Sequence, residues 1–138
     1  MSSLNYSIEH IGLASADTTA LAEWYVRHLK GTIVFDNGEA PPALFVKLPG
    51  GLIMEIYPAA SRNEEVTNNG LAGFRHLALQ VDSLEASAEA LRESGLELTE
   101  AEKPAGGGGR VLFFSDLEGN LIHLVERPDG SQFNLPRP

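Results

Sequence analysis

The chain repeats itself. The stretches "HIGLASADTTALAEWYVRHLKG", from His10, and "HLALQVDSLEASAEALRESG", from His76, follow one plan. Each begins with a histidine in an alternating apolar run, continues through a capped amphipathic helix and ends on a glycine. Three short alternating segments follow in both halves, so each reads as a βαβββ unit. A four-stranded sheet with one helix leaves a face uncovered and is marginal alone. The repeat therefore predicts an α+β fold: two βαβββ units in tandem, forming a curved mixed sheet around a cleft, with the helices outside. The units span residues 5–57 and 73–127, joined by a polar, turn-rich linker at 58–72, within a single domain covering residues 1–138.

In the first unit, "YSIEHIGLA" from Tyr6 to Ala14 reads as a strand. The helix after it has Ser15 or Asp17 as its cap and Gly31 as a left-handed stop. Strands are expected near 32–36, 43–48 and 51–57, the last two joined through "LPGG". In the second unit a strand at 73–81 leads into a helix with Asp82 and Glu85 placed for a capping box and Gly95 as its stop. Strands are expected near 96–100, 110–115 and 120–127.

Composition narrows the partners. The net charge is -9 and Lys plus Arg total only 10, without a basic run, which argues against nucleic acid and anionic membranes. There is no cysteine, so any metal must be held by nitrogen and oxygen. The N-terminus lacks a signal-peptide pattern and no apolar run approaches the roughly 18 residues of a membrane span, so the expected location is cytoplasmic.

The repeat also aligns the polar residues. His10 and Glu55 lie on the first and last strands of unit one; His76 and His123 lie on the first and last strands of unit two. Alternation puts Ile11 and Leu13, and likewise Leu77 and Leu79, on the face opposite the histidines. Each of the four has a plain alternative, a hydrogen-bonded sheet histidine or a Glu55–Arg75 ion pair. As a set at matching positions they point instead to one divalent metal (Zn, Ni, Fe or Mn) bound by His10, Glu55, His76 and His123. Ile53, Tyr57, Ala78, Gln80, Leu121 and Val125 share strand faces with these residues and are expected to line a substrate pocket.

Taken in order, "IEHIGL", "WYVRHLKG", "LIMEIYP", "FRHLALQVDSLEA" and "FFSDLEGNLIHLVERP" resemble the vicinal oxygen chelate superfamily of glyoxalase, bleomycin-resistance and dioxygenase proteins. The resemblance covers nearly the whole chain. It implies ligands at His10, Glu55, His76 and His123, and a homodimer whose site draws on one chain or both. His123 departs from the glyoxalase-type pattern, which usually has Glu there. Glu126 could replace it only through a bulge, because 123 and 126 face opposite sides of a regular strand.

The leading expectation is a metal-dependent enzyme acting on a small substrate with adjacent oxygens. Lyase or isomerase chemistry through a metal-stabilised enolate comes first, with Glu55 as the catalytic proton carrier. Iron-dependent oxygenation is the second enzymatic reading. The alternative from another class is a protein that binds or sequesters a small molecule without catalysis, as bleomycin-resistance members do. Elsewhere, "DLEGN" at 116–120 reads as a turn, "GGGG" at 106–109 as a floppy hairpin loop, His28 as a cation favoured by the helix dipole, and Trp24 and Tyr25 as packing.

Overall fold

The computed structural model describes residues 4–134. Elements follow in the order β1 (Ile11–Ser15), α1 (Thr18–Leu29), β2 (Thr32–Asp36), β3 (Leu44–Lys47), β4 (Ile53–Pro58), β5 (His76–Gln80), α2 (Leu84–Glu93), β6 (Lys103–Pro104), β7 (Arg110–Ser115) and β8 (Leu121–Glu126). They build two four-stranded sheets of identical topology, β1-β4-β3-β2 and β5-β8-β7-β6. In each, the first and last strands of the unit run parallel and the remaining pairs run antiparallel. The tandem βαβββ architecture is as the repeat predicts, and the sheets are not closed into a barrel.

Each helix covers one face of its own sheet. Alternation sends Leu44, Val46, Met54 and Ile56 under α1 and Leu112, Phe114, Ile122 and Leu124 under α2, and these residues form one shared apolar core. Trp24 of α1 stacks on Phe114 of β7, with ring centroids 6.4 Å apart, so the packing role expected for Trp24 joins the two units. Among the described residues no helix is long and apolar enough to cross a membrane.

Several local expectations are corrected. β1 starts at Ile11, not near Tyr6, because its parallel partner pairs Met54 with Ile11 and the chain turns away at Gly50–Gly51 before that. His10 consequently sits just ahead of the strand. Asp17 caps α1, accepting from the Ala20 backbone N–H, while the left-handed residue at its end is Lys30 (φ 60°), not Gly31. Gly31 is there for room: a Cβ would lie 2.7 Å from Val46 Cγ1. Ser83, not Asp82, caps α2. Residues 96–100 form no strand; the short β6 takes that place, and the 96–100 segment lines a cavity of about 390 Å³ against Phe113, Phe114 and Ser115 of β7.

The glycine-rich loop is pinned rather than floppy. Arg127 donates to the carbonyls of Gly106 (2.6 Å) and Gly108 (2.8 Å), and its guanidinium lies over the Phe133 ring. The "DLEGN" turn does more than turn. Asp116 accepts from the backbone of Glu118 and Asn120 and from Tyr25 of α1, while Glu118 accepts from Ser15 and from the Ala16 backbone. His28 is drawn into the same seam, with Nδ1 2.7 Å from Ser94 Oγ; burial and the neighbouring Arg27 lower its pKa, which works against the helix-end cation expected there.

Candidate metal centre

The helices lie on one side, so the opposite face of each sheet is free of helix. On the first sheet that face carries Gly12, Phe45, Glu55 and Tyr57, with His10 at its edge. His10 Nε2 lies 3.6 Å from Glu55 Oε1. Gly12 leaves the space that the Tyr57 ring occupies, since a Cβ there would come within 3.2 Å of Tyr57 Cε1. On the second sheet the corresponding face carries His76, Phe113 and His123, with His123 buried. The two imidazoles lie 4.7 Å apart between centroids.

The structure thus brings the four expected ligands together two by two, His10 with Glu55 and His76 with His123. Among the described residues no group of three or more His, Asp or Glu gathers closely enough to hold a metal ion within one chain. Each sheet carries two of the four expected ligands.

All three histidines share one hydrogen-bonding arrangement. His10 Nδ1 lies 2.9 Å from Glu9 Oε1, His76 Nδ1 lies 2.9 Å from Asn69 Oδ1, and His123 Nδ1 lies 3.3 Å from the Leu124 carbonyl oxygen. Carboxylate and carbonyl oxygens accept, so Nδ1 is the donor in each pair and Nε2 is the nitrogen left for another partner. Metal-binding histidines are commonly fixed in this way by a partner on the other ring nitrogen. His123, only 7% exposed, is further kept neutral: burial lowers its pKa, and the neighbouring His76 and Arg127 act in the same direction. The donor set of imidazole and carboxylate fits a divalent transition metal.

Other residues resolve individually. Glu126 is occupied on the far side of β8, accepting from the Leu84 backbone N–H and from Arg110 at 2.7 Å. Arg75 is held by the carbonyls of Phe74 and Asn68, not by Glu55. Of the expected pocket residues, Tyr57 is exposed beside Gly12 and Leu121 is half-buried at the edge of the 390 Å³ cavity. Gln80 is half-buried and its Nε2 donates to Asn134, while Val125 is buried.

Phe45 and Phe113 were not singled out from the sequence. Phe45 meets His10 edge-on at 5.4 Å, and Phe113 meets His76 edge-on at 5.7 Å. The signal was available, because each phenylalanine stands ten residues before the last-strand member of its pair.

The sequence profile of the Glyoxalase/Bleomycin resistance protein/Dioxygenase superfamily matches residues 7–124. An uncharacterized protein of Bacillus subtilis, YwkD, is 27% identical over 88% of this chain and 97% of its own length. Among solved structures, a glyoxylase/bleomycin resistance protein/dioxygenase domain from Frankia superposes with a TM-score of 0.71 at 20% identity, covering 92% of this chain and 96% of that one. The fosfomycin resistance protein FosX of Listeria monocytogenes, solved with Mn(II) and sulfate, superposes with a TM-score of 0.66 at 19% identity, covering 91% and 94%.

Proposed function

This chain belongs to the Glyoxalase/Bleomycin resistance protein/Dioxygenase superfamily, and we propose that it is a cytoplasmic, divalent-metal-dependent enzyme acting on a small substrate with adjacent oxygens. One observation carries the reading: three imidazoles, each with Nδ1 engaged by a neighbouring oxygen, and one carboxylate lie on the helix-free faces of the two sheets, His10 beside Glu55 and His76 beside His123. His10, Glu55, His76 and His123 would hold the metal, one ion per site, drawn from Zn, Ni, Fe or Mn. The Mn(II) bound by the FosX relative supports that choice of metals.

The donor pairs lie on separate faces, so the complete site is formed between two copies, His10 and Glu55 from one and His76 and His123 from the other. Strand β2 supports a homodimer: Ile33, Val34 and Phe35 are 42%, 51% and 54% exposed on a single chain. When bound, the metal would supply Lewis acidity to the two substrate oxygens. Glu55 takes the substrate proton and returns it, favouring lyase or isomerase chemistry over oxygenation. Tyr57, Leu121 and the ends of the strands bearing Gln80 and Val125 would border the substrate and exclude water.

Elemental analysis of tag-free wild type and His76→Ala tests the reading. About one divalent metal per chain, lost in the variant, is the expected result. No metal in either protein after incubation with nickel, zinc, manganese and iron would overturn it in favour of a small-molecule binding protein that uses the same faces.

A further inference from the structure

We infer that Phe45 and Phe113 are positioning residues, Phe45 holding His10 and Phe113 holding His76 in the orientation set by that histidine's Nδ1 hydrogen bond. This rests on the metal-site reading above. Its basis is a correspondence between the two units. Phe45 is the direct cross-strand partner of Glu55, and Phe113 is the direct cross-strand partner of His123. Phe45 meets His10 at an interplanar angle of 74° and Phe113 meets His76 at 82°. Phe113 also touches the His123 ring, at 4.8 Å, so one phenyl contacts both imidazoles of the second half-site.

Core formation does not account for these rings. Both phenylalanines are on the face away from the helices and only half-buried, while their strand neighbours Leu44, Val46, Leu112 and Phe114 fill the core. A histidine needs more than one hydrogen bond to be fixed, because its χ2 rotation is broad. An aromatic edge against the ring excludes the alternative settings and is itself a favoured geometry. Donors ordered before the ion arrives lose less freedom on binding it.

Three variants separate this role from ordinary packing. Phe113→Leu removes the ring but keeps an apolar side chain, Phe113→Tyr keeps the ring, and Phe114→Leu removes a core ring from the same strand. Zn(II) affinity is read by chelator competition, and imidazole 15N–1H spectra are read in the metal-free protein. Phe113→Leu is expected to weaken zinc binding roughly tenfold or more, as losses of ligand-orienting groups do, and to broaden the His76 and His123 signals. Phe113→Tyr is expected to restore both and Phe114→Leu to leave both unchanged. Wild-type affinity and spectra in Phe113→Leu, or equal losses in Phe114→Leu, would overturn the inference. A wild type that binds no zinc would instead sink the metal reading. The metal-free spectra then decide the positioning role alone: broadening confined to Phe113→Leu supports it and unchanged signals overturn it.

Discussion

Tyr25 in α1 donates a 2.5 Å hydrogen bond to Asp116 in the turn before β8, tying the first unit to the second through a buried side-chain pair. With Ser15–Glu118 and His28–Ser94, it joins the units beneath their helices, while the two donor-bearing faces stay apart. Fastened this way, the two units keep His10 and Glu55 apart from His76 and His123.

Removing that hydroxyl has a measurable cost. Tyr25→Phe should lower stability by about 1–3 kcal/mol, the usual loss for a buried hydrogen bond to an acidic partner, read by urea denaturation. Burial and Asp116 both raise the Tyr25 pKa far above its ordinary value. The folded state therefore resists ionisation, and this stability is fully present below about pH 10 and is lost as pH rises beyond it. The stability gap between wild type and Tyr25→Phe should narrow at high pH; a gap that stays constant from pH 8 to 11 would contradict the assignment.

A site shared between copies can be rebuilt by mixing. His10→Ala and His76→Ala homodimers should each be empty. After they are unfolded and refolded together, the mixed dimer should regain one intact site, visible as partial recovery of bound metal. A site contained in one chain would recover none.

His123 and Glu126 are distinguished by their surroundings. His123→Ala should fold and lose most of its metal affinity, by roughly tenfold or more. Glu126→Gln should keep wild-type metal content and be less stable, since Arg110 and the start of α2 depend on that carboxylate. Arg110 and the Leu84 N–H lower the Glu126 pKa, so its stabilising effect is present above the ordinary carboxylate range and lost as pH falls through it. Acid unfolding of wild type and Glu126→Gln should converge; a metal loss in Glu126→Gln would reverse the assignment.

Glu55→Gln keeps an oxygen donor beside His10 but cannot accept a proton. Metal content should persist while turnover of any substrate identified falls by roughly a hundredfold or more. Equal turnover in the two proteins would remove Glu55 as the proton carrier.

Much of this architecture was legible because it is periodic. The duplicated strand–helix–strand plan, the core faces and the four polar positions all follow from spacing that one chain repeats twice. What escaped depends on partners distant in sequence. The start of β1 is decided by where β4 begins, and Gly31 is explained by Val46 rather than by the helix it follows. Asp116 looked like a turn residue because nothing local shows that Tyr25 reaches it. The pairing of donors escaped for the same reason: alternation assigns His10 and His76 to faces but does not say whether those faces meet.

The bare strand β2 carries a consequence for how the protein would behave in solution. If its exposed isoleucine, valine and phenylalanine are covered only by another copy, the proposed shared site would be incomplete in a folded monomer, which would have no competence of its own. Catalysis then becomes a property of protein concentration. Specific activity should rise with the amount of protein in the assay until dimers dominate, and fall again on dilution even though every chain remains folded.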